Sequence, residues 1–163
     1  MRVGITGHTN LTDGGAAVIY SALVRHLRAL GEQVAGGEQI IGVTCLADGA
    51  DQLFARAVIE VGGTYEVVLP APDYRGVVPP ERRAEFDALL AGARSVLASG
   101  EGHSGVRAYV AANRIMLDRV DRLVAVWDGH ERLDPGGTSD VITLARDRAL
   151  PMTVIWPAGA ERG

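Results

Sequence analysis

The chain has 163 residues and is 47% hydrophobic, about the length of one domain and apolar enough to bury a substantial core. Its 16 basic residues against 20 acidic ones give a net charge of -4, which argues against a nonspecific nucleic-acid binder; every basic residue is arginine, which excludes a P-loop lysine and Schiff-base chemistry on a lysine. The single Cys45 excludes an intramolecular disulfide, and no apolar run approaches the roughly 18 residues a membrane span needs, so a cytoplasmic protein without membrane contact is expected.

Arg2 to Gly7 reads as a first, buried strand, left through the turn Gly7-His8-Thr9-Asn10. Val18, Ile19, Ala22, Leu23, Leu27 and Leu30 then recur at helical spacing from about Gly15, with Gly31 as a stop. Gln39 to Cys45 is a second strand; Ala47-Asp48-Gly49-Ala50-Asp51 leads into a helix ending near Val61. Thr64 to Leu69 makes a third strand, and Pro70, Pro72, Pro79 and Pro80 enclose a loop long enough to act as a rim or lid. Pro80 suits the first turn of a helix over Glu81 to about Ala91. Arg94 to Ala98 is a weak fourth strand, and the glycine-rich Ser99 to Gly105 is expected to be mobile. A helix from Val106 to about Val120, a fifth strand at Leu123 to Trp127, a helix opened by Gly136-Gly137-Thr138 and ending before Pro151, and a sixth strand at Met152 to Trp156 complete the pattern. Strands alternate with helices through short links, so an α/β three-layer α/β/α sandwich around a mainly parallel sheet of about six strands is the reading. One domain over residues 1–157 is expected, with 158–163 as a fraying tail.

In such a sheet a ligand lies beyond the carboxyl ends of the strands, which selects the loops after strands one, two, three and five. The first loop lacks the Gly-x-Gly-x-x-Gly spacing of a dinucleotide site. Gly7 nevertheless allows close backbone approach, and His8, Thr9 and Asn10 offer donors and acceptors, or simply form a polar turn. Asp48 and Asp51 suit the start of the second helix as cap and dipole partner, or Gly49, Ala50 and Asp51 present amides and a carboxylate to a ligand. Gly136, Gly137 and Thr138 supply small residues and free amides for an anion. Asp140 in the same turn is either a dipole partner or an acceptor for ribose hydroxyls or a water, and Asp128 is the other carboxylate aimed at the crevice. Arg114 forms a surface pair with Asp118 or reaches a phosphate or carboxylate, beside Asn113. Cys45 lacks a basic partner and reads as inert; His8, His26, His103 and His130 show no metal-ligand spacing, so neither metal nor cofactor is expected.

Gly4-Ile5-Thr6-Gly7-His8, Ala47-Asp48-Gly49-Ala50-Asp51, Asn113-Arg114 and Asp121 through Asp140 together resemble the SLOG superfamily of Rossmann-like nucleotide-binding proteins. That group includes the LOG phosphoribohydrolases and the nucleotide-binding domain of DprA proteins. The resemblance runs from Arg2 to Trp156 and is most specific at Pro135-Gly136-Gly137-Thr138. It implies a nucleotide-like small-molecule ligand at the carboxyl edge of the sheet, sensed rather than transformed, and a homodimer. The alternative it implies is hydrolysis of a nucleoside monophosphate's N-glycosidic bond, with Arg114 matching the family's arginine and Asp140 standing near its glutamate after a shortened Pro-Gly-Gly-Thr. Nucleic acid is not expected as a partner.

Overall fold

Six parallel strands, ordered β4-β3-β2-β1-β5-β6, form a single sheet in the computed structural model, which describes residues 1–163 apart from the side chain of Ala35. They are β1 Arg2–Gly7, β2 Ile41–Thr44, β3 Thr64–Leu69, β4 Ser95–Ala98, β5 Arg122–Val126 and β6 Met152–Ile155. The helices are α1 Asp13–Gln33, α2 Ala50–Glu60, α3 Arg83–Gly92, α4 Val106–Leu117 and α5 Thr138–Asp147. This is the α/β sandwich that the alternation of elements predicts.

Side-chain alternation along the strands assigns the two faces. Val3 and Ile5 of β1, Tyr65 and Val67 of β3, and Val124 and Val126 of β5 pack with Ile19, Leu23 and Leu27 of α1, Phe54 and Val58 of α2, and Phe86 and Leu89 of α3. Val43, Val68 and Leu123 turn the other way, against Ala112, Met116 and Leu117 of α4 and Val141 and Ala145 of α5. Each strand between the edges is covered on both sides, which is why it reads as a continuous apolar run; burying one such side chain fully contributes roughly 1.5–3 kcal/mol.

Three local features differ from expectation. α1 begins at Asp13 because Thr12 caps it, its Oγ1 accepting from the Gly15 amide at 3.1 Å, and Gly31 lies inside the last turn. The Ser99–Gly105 loop is tied down: Asp73 accepts from both the amide and the hydroxyl of Ser104, each at 2.7 Å. The tail, expected to fray, folds back over the turn after β1. Thr12 donates to the Glu161 carbonyl at 3.1 Å, Gly163 donates to that of Asn10 at 2.8 Å, and Leu11 pairs with Arg162 in an antiparallel bridge. No helix among the described residues is long and apolar enough to cross a membrane.

Candidate functional site

The sheet reverses its direction of winding between β1 and β5, which are hydrogen-bonded neighbours from Val3↔Arg122 to Gly7↔Val126. Their outgoing loops therefore diverge and leave a crevice at the carboxyl edge. A cavity of about 380 Å³ fills it, within the size range of small-ligand sites. Thr6, Gly7 and His8 come from the end of β1, Cys45 and Asp51 from the β2–α2 connection, and Tyr74 and Val77 from the proline-bounded loop. Val106, Tyr109 and Asn113 come from α4, and Arg132 and Asp134 through Ser139 from the loop before α5 and its first turn.

The α5 end of the cavity gathers donors around one carboxylate, that of Asp134, whose Oδ2 a Cβ on Gly137 would meet at 2.6 Å. The first-turn amides of Thr138, Ser139 and Asp140 have no acceptor among the described residues, as a helix start dictates. Arg132 and Arg162 stand on the same lining, and no carboxylate pairs with Arg132 among the described residues. Gly136 makes the approach possible: its φ of 81° is left-handed, and a Cβ there would meet the Cβ of Tyr109 at 2.9 Å. Asn113 fastens the arrangement, donating from Nδ2 to the Gly136 carbonyl at 2.9 Å. An apolar wall adjoins it, where the Tyr74 and Tyr109 rings meet edge to face at 6.0 Å.

Two carboxylates organise the loops around the crevice. Oδ2 of Asp51 accepts from the Thr44 hydroxyl and the Cys45 amide, each at 3.1 Å, and from the Ala47 amide at 3.4 Å. These bonds hold the turn in which Leu46 takes a positive φ of 56°. Burial lifts the Asp51 carboxyl to about 6 in spite of those donors. Asp128 accepts from Arg162 Nη1 at 2.9 Å and from the His130 amide at 3.0 Å. Burial works against its charge, but Arg162 and the His130 amide prevail and hold it well below the usual carboxylate range. His8 Nε2 accepts the Asp128 amide at 3.1 Å and lies 3.2 Å from Asp128 Oδ1. A nitrogen that accepts an N–H is unprotonated, and burial followed by the Arg162 charge pushes His8 down, so the neutral imidazole is the form present near neutrality.

Of the residues the sequence singles out, Gly7, His8, Thr9, Asn10, Asp51, Asn113, Gly136, Gly137 and Thr138 line the one cavity. Gly49 and Ala50 do not: a Cβ on Gly49 would meet the His8 carbonyl oxygen at 2.6 Å, and the Ala50 amide donates to that oxygen at 3.1 Å. The start of α2 is thus occupied by the chain itself. Gly49 rather than Asp48 is its cap, and Asp48 lies 4.0 Å from Arg82. Asp128 turns to Arg162 instead of the crevice. Arg114 is exposed on α4 away from the cavity, and the pairing expected with Asp118 is made by Arg148 at 2.7 Å. Asp140 folds back to accept the Gly136 amide at 3.0 Å. Sequence reasoning missed Arg132, Arg162, Tyr74 and Tyr109. Tyr109 was findable, being one helical turn before Asn113 on the same face.

No family model and no curated protein matches the chain. Solved structures do share its fold. DNA processing protein A of Helicobacter pylori superposes with a TM-score of 0.69 at 18% identity, over 99% of this chain and 68% of that one. Its namesake from Streptococcus pneumoniae gives 0.66 at 16%, over 96% of this chain and only 50% of that one. The molybdenum cofactor carrier protein of Chlamydomonas reinhardtii gives 0.55 at 18%, over 94% and 74%. The Helicobacter protein's structure was determined for its single-stranded DNA binding mode, which overturns the expectation that nucleic acid is no partner. The net charge that prompted this expectation describes the whole surface, whereas a strand is held by a local groove. Order of strands and shared architecture agree: the chain has the Rossmann-like α/β fold that these solved structures share.

Proposed function

We propose that the crevice between β1 and β5 binds a nucleotide or a nucleotide-derived small molecule, with phosphate over the first turn of α5 and the base against the tyrosine wall. The observation that carries this reading is the meeting, on one cavity, of the unpartnered Thr138 and Ser139 amides, the side chains of Arg132 and Arg162, and the rings of Tyr74 and Tyr109. Amides and planar guanidinium groups suit a phosphate without any lysine or metal. Aromatic rings suit a base of any identity.

Glycosidic hydrolysis draws no support from the geometry, since Arg114 and Asp140 face away from the cavity. The test is a calorimetric screen with nucleoside mono-, di- and triphosphates, nucleotide sugars, cyclic dinucleotides and a short single-stranded oligonucleotide. At least one should bind, and Arg132→Ala should weaken it roughly 10-fold or more, the value of a charge-assisted hydrogen bond. Absence of binding across the set would reject the reading.

A further inference from the structure

Arg162 reaches the cavity from a segment that follows the last strand, and hydrogen bonds from both backbone and side chains hold that segment in place, among them one from Asn10 Nδ2 to the Gly163 carbonyl at 2.8 Å. Thr12 and Gly163 supply the two backbone bonds described above, Arg162 Nε donates to Asn10 Oδ1 at 3.1 Å, and Nη1 donates to Asp128 Oδ2 at 2.9 Å. Nη2 has no acceptor among the described residues, although the Arg162 side chain is only 18% exposed and lines the cavity. A half-buried guanidinium with an unused donor edge, held by one carboxylate and one amide oxygen, is oriented for a further acceptor.

We propose that residues 157–163 form a strap that delivers Arg162 as an anion-anchoring residue, so that ligand binding and strap docking are coupled. The proposal rests on the nucleotide reading of the cavity. Asp128 is then a positioning residue: it fixes the guanidinium without consuming all its donors, and its own charge is neutralised by the same contact. An anion that engages Arg162 draws the strap onto the turn after β1. By linkage, anything that lifts the strap weakens the anion.

Gly15 allows the strap to be lifted from a distance. It lies in the first turn of α1, outside the cavity, and a Cβ there would meet the Glu161 carbonyl oxygen at 2.5 Å and its amide nitrogen at 2.8 Å. Gly15→Ala therefore pushes on strap backbone while improving helix propensity, so the fold is kept. The experiment measures AMP and ATP affinity by calorimetry, together with hydrogen exchange over residues 158–163, for wild type, Arg162→Ala, Gly15→Ala and Arg132→Ala.

The expected result is that Arg162→Ala and Gly15→Ala each weaken nucleotide binding roughly 10-fold or more. Gly15→Ala should speed exchange in the strap, and nucleotide should slow it in wild type. Arg132→Ala should weaken binding without altering strap exchange in the free protein. Wild-type affinity in Arg162→Ala, or in a Gly15→Ala protein whose strap exchanges faster, overturns the strap and leaves the nucleotide reading standing. Unchanged strap exchange in Gly15→Ala overturns it too, because the close packing would then be absent. If wild type takes neither nucleotide, this proposal falls with them, while the wider ligand screen still decides the nucleotide reading.

Discussion

Asp51 holds the turn between β2 and α2 with a single oxygen that accepts three hydrogen bonds, and it does so from within the core. Its folded-state pKa of about 6 lies above the 3.8 of a free aspartate side chain. The folded state therefore binds the proton more tightly, and stability falls as pH rises from about 4 to about 6, by roughly 3 kcal/mol in all. An asparagine can present its carbonyl to the same three donors without a charge. Asp51→Asn should thus gain on wild type as pH rises through that window, as urea midpoints at pH 4 to 7 would show; Asp51→Ala, which orphans the donors, should lose about 2–4 kcal/mol. His8 carries the opposite sign. Its lowered pKa means that its contribution is complete above 6.5 and is lost as pH falls toward the folded value. Because Arg162 is one of the charges that lower it, Arg162→Ala should raise the His8 titration seen by NMR, and an unmoved midpoint would dissociate the two residues.

At the scale of elements, what the sequence makes legible is whatever a local pattern encodes. β1 and β3 have the bounds that their apolar runs indicate, and the remaining strands differ by a residue or two, because a strand covered on both faces must be apolar throughout. Helix ends were harder, since Thr12 as the cap of α1 becomes visible only through its bond to Gly15. The link between α4 and α5 is less local still, for Asn113 and Gly136 are 23 residues apart. That link carries a prediction. Asn113→Ala should cost about 1 kcal/mol by losing one hydrogen bond. Gly136→Ala should cost about 1–3 kcal/mol, because it combines a left-handed φ with the contact at the Tyr109 Cβ. Both free the start of α5 from α4, so both should weaken phosphate-bearing ligands more than they lower the melting temperature. A ligand affinity unchanged in the two variants would show that the α5 amides do not hold the phosphate.

For the whole molecule, the site is a product of strand order, which no local pattern contains. Placing β1 beside β5 brings Gly7 and Gly137 onto one crevice, and both were legible as small residues at strand and helix ends. Arg162 was not legible, because a polar tail past the last strand looks like any other tail until Asp128, 34 residues earlier, is seen to hold it. Tyr74 and Tyr109 likewise meet only through the fold. A site assembled from six separate segments, with few bonds of its own across the gap, should behave as the softest part of the chain and gain most from an occupant. A ligand at 100 times its dissociation constant adds about 2.7 kcal/mol, which for a chain of this length is a rise of roughly 5–10 °C in melting temperature. Hydrogen exchange should slow first in residues 128–139 and in the strap rather than in β1 or β5, since the strands are already protected by the sheet. Arg132→Ala should leave the unliganded melting temperature within about a degree of wild type, its side chain being exposed and its loss a surface change, and should shrink the ligand-induced rise. A rise that survives this substitution undiminished, with protection appearing elsewhere, would move the binding site off the β1–β5 crevice.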